Sequence, residues 1–174
     1  MMKTIYIFLI GSLFWSCAEE KKPEEIKEAP KYDKEQSIEM FKGFAEEEKE
    51  EIENFIMRHP DWKLQFTETG LYYSVYKPGE GENIQYGQTA VVRYEISGLD
   101  GSVYYKSDSL KTESFKVDKA DIESGIHQGI KYMNKGSKAK FIIPSHLAHG
   151  LIGDMDKIPA LASVIYDVEL VDIQ

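Results

Sequence analysis

Histidine and aspartate side chains gather near the end of this sequence and raise the question of a metal site. His146 and His149 are three residues apart, and Asp154 and Asp156 follow within a few positions. Imidazole nitrogens and carboxylate oxygens are ligands that Zn²⁺ accepts. The segment has no regular period, however, and no other ligand is evident. We therefore expect no metal here, and we expect both histidines to be exposed or hydrogen-bonded.

Tyrosines on two predicted strands are the other residues of chemical interest. Tyr94 and Tyr166 each lie in a run of β-branched and aromatic residues, which is typical of a strand. Phenol rings on the inner side of a sheet usually belong to a hydrophobic core, although they can also form the wall of a pocket. The residues alone favour the core interpretation, and the same holds for Ile126 on its apolar helix stripe.

The elements that must position these side chains centre on residues 125–150. A short helix is predicted by apolar residues at positions i, i+4 and i+7, namely Ile126, Ile130 and Met133. Gly136 ends this helix, and residues 138–143 form a strand that stops at Pro144. The helix must then cover one face of a sheet, so that its first turn and the loop after Pro144 can frame a pocket.

The remaining pattern between residues 64 and 174 consists of short strands and turns. Further strands are predicted at residues 71–76, 89–96, 103–105, 115–117 and 164–170. In the last strand the residues that point inward are Val164, Tyr166, Val168 and Leu170. The sequence therefore predicts an α+β domain in which an antiparallel sheet carries a helix on one face.

The negative charge of the chain is concentrated near its N-terminus. The 174 residues carry a formal net charge of −9, and residues 18–57 hold 14 acidic residues against 7 lysines. The rest of the chain is therefore close to neutral. An acidic chain argues against nucleic acid as a partner, and we expect none.

The first residues have the layout of an export signal. Lys3 precedes an apolar run at residues 5–15, and Ser16 and Cys17 follow. The run is too short to span the ~30 Å hydrocarbon core of a bilayer.

A cysteine directly after Ser16 resembles the processing site of bacterial lipoproteins. This predicts a signal peptide at residues 1–16 and a lipid, such as palmitate, on Cys17. The protein would then be a bacterial membrane lipoprotein, on the periplasmic side of the outer membrane or at the cell surface. A plain cleaved signal with an incidental cysteine is the alternative.

Two segments connect this predicted anchor to the folded body at residues 64–174. Residues 17–33 are rich in Glu, Lys and Pro and predict a disordered acidic tether. Residues 34–59 predict an amphipathic helix whose apolar side carries Ile38, Phe41, Phe44, Ala45, Ile52, Phe55 and Ile56. We expect this helix to dock on its own domain, and a dimer arm is the alternative.

A series of short motifs in the folded body occurs in the order that a known family shows. They are Thr69-Gly70-Leu71-Tyr72-Tyr73, Pro78-Gly79-x-Gly81, Val92-x-Tyr94, Asp100-Gly101-Ser102-Val103-Tyr104, Gly129-Ile130-x-x-Met133-x-x-Gly136, Ile143-Pro144-Ser145-x-Leu147-Ala148-x-Gly150, Lys157-Ile158-Pro159 and Tyr166-Asp167-Val168-Glu169-Leu170. With these motifs, residues 67–173 resemble the FKBP-type peptidyl-prolyl cis-trans isomerases. The segment at residues 124–130, followed by Pro144-Ser145, is similar to the gliding-motility-associated FKBP-like lipoproteins of the Bacteroidetes.

The resemblance implies a fold, an activity and a set of site residues. The fold would be an antiparallel curved β-sheet wrapped on one short α-helix. The activity would be rotation about X–Pro bonds of proline-containing polypeptide clients, without a cofactor. The family's pocket positions correspond here to Tyr94, Tyr104, Ile122, Glu123, Ile158 and Tyr166, with Glu123 acting through its backbone N–H.

Four positions depart from the family's pocket. Ile126 replaces the tryptophan of the floor, and Tyr105 replaces an aspartate. Glu113 replaces an aromatic residue, and His149 replaces the tyrosine of the flap. Two functions therefore stay open. One is a membrane-tethered prolyl isomerase and folding factor for exported proteins. The other is a non-catalytic FKBP-like binding lipoprotein of a surface machine for gliding or secretion.

Overall fold

The chain folds into two helices and nine short strands over the part described by the computed structural model, residues 33–108 and 110–174. In chain order they are α1 (Lys34–Arg58), β1 (Gln65–Phe66), β2 (Tyr72–Lys77), β3 (Glu80–Asn83), β4 (Thr89–Gly98), β5 (Val103–Lys106), β6 (Glu113–Lys116), α2 (Ser124–Ile130), β7 (Asn134–Lys135), β8 (Lys138–Ile143) and β9 (Val164–Ile173). Short 3₁₀ turns occur at Pro60–Trp62, Ser145–Leu147 and Gly150–Ile152. Cys17, the predicted signal peptide and nearly all of the predicted tether lie outside the described residues.

Most strands join one antiparallel sheet with the order β1-β2-β8-β9-β4-β5. Strand β4 is long enough for β6 to pair with its first half while β5 pairs with its second half. Within the described residues, β3 and β7 form a separate two-stranded sheet, and neither strand was predicted from the sequence. The predicted fold class is confirmed: an α+β domain with one short covering helix, preceded by an amphipathic helix.

Helix α2 covers one face of the large sheet and closes the main core. The three residues of its predicted stripe are buried, with Ile126, Ile130 and Met133 at most 4% exposed. The helix is shorter than predicted, however: it ends at Ile130, so that Met133 lies after it and Gly136 does not end it. The helix lies very close to β8, because a Cβ on Gly129 would stand 2.9 Å from the ring of Phe141. Glycine at this position therefore permits a helix–sheet contact that any larger residue would push apart.

The second half of α1 packs on the opposite face of the same sheet. Adjacent residues of a strand point to opposite faces, and Ile142 and Ile165 here form a second apolar cluster with Ile52 and Phe55 of α1. The predicted docking of this helix is thus observed for its C-terminal half. In the N-terminal half, three apolar side chains remain between 36% and 45% exposed: Ile38, Phe41 and Phe44.

Hydrogen bonds fix α1 at its start and at its middle. Asp33 and Gln36 form a reciprocal capping box, with N···O distances of 2.8 and 3.3 Å. Glu48 accepts from the backbone N–H and hydroxyl of Ser145 at 2.6 and 3.0 Å, and from the hydroxyl of Ser163 at 2.6 Å. This carboxylate ties α1 to both ends of the long loop between β8 and β9.

Over the same described residues, neither helix has the length and apolar character needed to cross a bilayer.

Candidate active site

A cavity of about 380 Å³ opens beside α2 on the concave side of the sheet. Its apolar lining comes from buried aliphatic residues of β4, β9, α2 and the loop after β8: Val92, Ile96, Ile126, Ile158 and Val168. Its aromatic wall comes from Tyr94, Tyr105, Phe115 and Tyr166. Its polar rim comes from Glu113, Ser114, Glu123, His149 and Asp154, with Ile122 beside them. A volume of this size suits a small ring and its flanking atoms.

Strand alternation and register explain why these side chains meet. Tyr94 lies opposite Val168, and Ile96 lies opposite Tyr166 on the neighbouring strand. Residues two apart on one strand share a face, so β4 and β9 present this group to the same side. The Tyr94 and Tyr166 rings lie 6.3 Å apart between centroids, which is within the range of aromatic contacts.

The structure brings most of the predicted site residues together. Five of the six family positions line the cavity: Tyr94, Ile122, Glu123, Ile158 and Tyr166. All four departing positions line it as well: Tyr105, Glu113, Ile126 and His149. The exception is Tyr104.

Tyr104 does not line the cavity, because the register of β5 shifts at this residue. Tyr105 lies opposite Ile96, whereas Val103 lies opposite Ser97, so Tyr104 is an extra residue on its strand. Its hydroxyl lies over Gly98 at the end of β4, where an added Cβ would stand 2.6 Å from it, beside a groove that α1 also borders. Tyr105 supplies the phenol ring at this edge of the cavity instead.

Two tyrosine hydroxyls in the cavity donate to glutamates. Tyr94 donates to Glu113 at 3.0 Å, and Tyr166 donates to Glu123 at 2.7 Å. Burial and the hydrogen bond to Glu113 raise the pKa of Tyr94 to about 12. Burial and the negative charge of Glu123 raise the pKa of Tyr166. Both phenols therefore stay protonated at neutral pH, with their hydrogens already engaged.

The third hydroxyl, that of Tyr105, donates to two aspartates in the loop after β8. Its oxygen lies 2.5 Å from Asp154 and 3.1 Å from Asp156. The second carboxylate oxygen of Asp154 accepts from the backbone N–H groups of Asp156, Lys157 and Ile158 at 2.8–2.9 Å. The hydrogen bond from Tyr105 is the main reason why the pKa of Asp154 falls to about 2, and it raises the pKa of Tyr105 in turn. This aspartate organises its own loop and holds the aromatic wall at the same time.

His149 stands against Glu123 at the mouth of the cavity. The Nε2 atom lies 2.8 Å from a Glu123 oxygen, but the contact lacks the alignment of a hydrogen bond. The attraction is therefore that of an ion pair and exists when the imidazole is protonated. Glu123 thus contributes a side chain shared between Tyr166 and His149, beyond the backbone role that the resemblance implied.

His127 is a positioning residue that sequence reasoning did not find. Its Nδ1 atom accepts from the backbone N–H of Asp118 at 2.9 Å, so Nε2 carries the proton and donates to the Ala120 carbonyl at 3.1 Å. The buried neutral ring thereby holds the loop that leads to Ile122 and Glu123. No sequence pattern separates this histidine from an exposed one. Phe115, also missed, could have been indicated by its place on a predicted strand two residues after Glu113.

The two histidines of the loop after β8 have separate partners. The Nε2 atom of His146 lies 3.1 Å from the carbonyl oxygen of Thr69, whereas His149 pairs with Glu123. Asp154, which could have joined them around a metal, is saturated by Tyr105 and backbone N–H groups. The described residues hold no group of three or more potential ligands that could bind a metal ion.

Comparison with known proteins places this chain in a family. The model of the family described as FKBP-type peptidyl-prolyl cis-trans isomerase matches residues 80–171, a little more than half of the chain. The chain belongs to this family.

Particular relatives share the isomerase domain with this chain. The chain is 35% identical over 112 residues to FkpA of Escherichia coli strain K12, which covers 64% of this chain and 40% of that protein. It is 32% identical over 140 residues to a probable FkpA of Neisseria meningitidis serogroup B, covering 79% of this chain and 50% of that one. The chain thus spans half or less of the length of these relatives.

Solved structures agree with this assignment. The crystal structure of E. coli FkpA superimposes with a TM-score of 0.66 at 31% identity, covering 80% of this chain and 64% of that one. The crystal structure of AtFKBP13 gives a TM-score of 0.59 at 24% identity, covering 64% of this chain and 98% of that one, and it supports the fold alone.

Proposed function

We propose that this protein is a peptidyl-prolyl cis-trans isomerase that assists the folding of exported proteins and is tethered to a membrane through Cys17. The observation that carries the proposal is an apolar, tyrosine-walled cavity of about 380 Å³ in a member of the isomerase family. Tyr94, Ile122, Ile158 and Tyr166 would contact the proline ring. Glu123 would offer its backbone N–H to the substrate carbonyl.

The physical task is to lower a rotational barrier of ~18–20 kcal/mol about the X–Pro bond. A twisted amide has lost resonance and is less polar than a planar one. An apolar wall built from side chains such as Val92, Ile96 and Ile126 therefore favours the twisted amide over the ground state, which is differential binding. Each tenfold acceleration needs only ~1.4 kcal/mol. The reaction requires no nucleophile and no cofactor.

Isomerisation of short peptides tests this proposal. Purified full chain at micromolar concentration should accelerate cis–trans exchange of X–Pro tetrapeptides, measured by a protease-coupled assay. Ile158→Ala should weaken the acceleration, whereas Tyr86→Ala, at an exposed tyrosine outside the cavity, should leave it unchanged. Turnover no faster than in buffer would remove the isomerase function.

A non-catalytic binding role is the second candidate, and the hydroxyl–carboxylate pairs favour it. The hydrogens of Tyr94, Tyr105 and Tyr166 are engaged by acids of the protein, and Ile126 offers less surface than an indole, worth about 1.5–3 kcal/mol of burial. Such a cavity could hold a proline-containing segment of a surface machine without turning it over. Saturable binding of X–Pro peptides without accelerated exchange would support this role over catalysis.

The proposed location and lineage rest on sequence features outside the described residues. The basic start, the short apolar run and the lone Cys17 support a lipid anchor facing the periplasm or the cell surface. Multiple acyl chains anchor a protein stably where one is marginal. The segment at residues 124–130 followed by Pro144-Ser145 supports a relation to gliding-associated lipoproteins of the Bacteroidetes, with proline-containing polypeptides as clients.

A further inference from the structure

The side chains around the cavity offer many hydrogen-bond acceptors and few hydrogen-bond donors. The three phenol hydrogens are already given to carboxylates. Among the described residues that line the cavity there is no lysine or arginine. His149 and Ser114 are the side chains that can still donate. A client group that brings its own donors would be satisfied here, and one that needs donors would not.

The mouth of the cavity also carries several negatively charged side chains, which favour the same kind of client group. Glu113, Glu123 and Asp154 line the cavity, and Asp156 is hydrogen-bonded to its wall through Tyr105. Lys157 is a cation near these four carboxylates, and its ammonium lies 4.7 Å from the centre of the Tyr105 ring. Among the residues that line the cavity, the carboxylates of Glu113, Glu123 and Asp154 outnumber the one side chain that can carry a positive charge, that of His149.

Two of these acids retain the capacity to bind a client. Glu113 lies on strand β6 and receives one hydrogen bond at 3.0 Å, from Tyr94, on a single oxygen. Asp156 is exposed and receives one from Tyr105 at 3.1 Å. They come from separate elements, since Glu113 lines the cavity and Asp156 lies in the loop whose Asp154 does. A chain lying across the mouth can therefore meet either one. Beside an apolar cavity, such charges act more strongly than in open water.

We propose that this cavity selects X–Pro segments that carry a lysine or arginine next to the proline, and disfavours segments with glutamate or aspartate there. The inference rests on the proposed function, because it names the class of client taken by that same site. An ammonium or guanidinium supplies the missing donors and meets the carboxylates. An acidic residue would leave its oxygens unpaired and would be repelled.

Peptides that differ only before proline test this selectivity. The full chain is mixed with blocked Ala-Xaa-Pro-Phe peptides in which Xaa is Lys, Leu or Glu, and exchange rates are measured by NMR at low salt. The lysine peptide should be turned over about tenfold faster than the glutamate peptide, with leucine between them. Raising salt to roughly 0.5 M should reduce this ratio to about twofold, because exposed charges are then screened.

Matched variants test whether the selectivity depends on Glu113 and Asp156 or on the overall negative charge of the chain. Combining Glu113→Gln with Asp156→Asn should reduce the lysine-to-glutamate ratio to roughly threefold or less. Combining Glu80→Gln with Glu82→Gln, which removes the same number of charges from exposed strand β3, should leave the ratio unchanged. An equal reduction of the lysine-to-glutamate ratio in the test and control variants, or no reduction in either, would overturn the role given to Glu113 and Asp156.

Failure of the selectivity can be distinguished from failure of the isomerase. Rapid but equal turnover of the lysine and glutamate peptides overturns the selectivity and leaves the isomerase in place. If no peptide is turned over, NMR titration of the same three peptides still decides. Tighter binding of the lysine peptide supports the inference, and equal affinities overturn it.

Discussion

At the scale of single residues, each of the three tyrosine hydroxyls in the cavity donates a hydrogen bond to a carboxylate. The Tyr105–Asp154 pair shows why this matters, since one contact at 2.5 Å links the aromatic wall to the loop after β8. The hydroxyl favours the charged aspartate, and the aspartate favours the protonated phenol. The pair therefore contributes to stability only while Asp154 is ionised.

Tyr105→Phe should raise the pKa of Asp154 from about 2 toward the usual value. The usual value of an unfolded aspartate is about 3.9. The folded pKa lies below it, so the contribution is present above about pH 4 and is lost as the pH falls toward about 2. The variant should be less stable than the parent at neutral pH, and the difference should shrink near pH 2. Carbon NMR titration and urea unfolding at both pH values measure this.

Tyr104→Phe is the matched control, because this neighbouring hydroxyl lies outside the cavity. It should leave the Asp154 pKa unchanged. An unaltered Asp154 titration in Tyr105→Phe would contradict the role given to the hydroxyl.

Ile126→Trp should raise peptide turnover or affinity by roughly threefold to tenfold, because an indole would add apolar surface to the cavity floor. The kinetic assay described above measures this. Ile130→Trp, on the same helix but fully buried in the core, should instead destabilise the fold by about 1–3 kcal/mol through overpacking. A folded Ile126→Trp variant with unchanged peptide turnover and affinity would argue against this cavity as the binding site.

At the scale of elements, helix α1 is joined to the loop that carries part of the site. Glu48 binds Ser145 at the start of the loop between β8 and β9, and Ser163 at its end. His149 and Asp154 lie between those two serines and reach the cavity. The docked helix therefore holds both ends of a loop whose middle part reaches the cavity.

Glu48→Ala should lower the free energy of unfolding by about 1–3 kcal/mol, because it leaves polar groups of Ser145 and Ser163 without their acceptor. Urea denaturation measures the loss, and faster amide hydrogen exchange in α1 should accompany it. Glu47→Ala, one residue earlier on the exposed side of the helix, should change stability by less than about 0.5 kcal/mol. Equal stability of the two variants would contradict the anchoring role.

At the scale of the whole molecule, we propose different functions for the acidic N-terminal segment and for the folded FKBP-type domain. Residues 18–57 carry most of the negative charge, whereas the described body from residue 64 onward contains the cavity. The proposed lipid on Cys17 would hold the domain near a membrane while clients emerge. The proposed activity of the domain and its proposed lipid anchor can therefore be tested independently.

Cys17→Ala should release the protein from the membrane fraction and abolish incorporation of labelled palmitate, since no acyl chain could then be attached. Cell fractionation and labelling measure both effects. Ser16→Ala keeps a small residue before the cysteine and should stay membrane-bound. A Cys17→Ala protein that remains in the membrane fraction would contradict the lipid anchor.

Local pattern was enough to predict the framework of this protein. The stripe of Ile126, Ile130 and Met133 is buried as expected, and β8 has the predicted bounds at residues 138–143. Side-chain period and turn chemistry depend on near neighbours in the chain, which is why a single sequence reveals them. Nine of the ten residues that the family resemblance assigned to the pocket line the cavity.

The register of β5 and the partners of the tyrosines emerged only from the folded chain. Tyr105 rather than Tyr104 faces the cavity because the pairing of β5 with β4 slips by one residue. The hydroxyls of Tyr94, Tyr105 and Tyr166 find carboxylates 19, 49 and 43 positions away along the chain. Strand register and long-range hydrogen bonds depend on which surfaces meet after packing, and no local period carries that information.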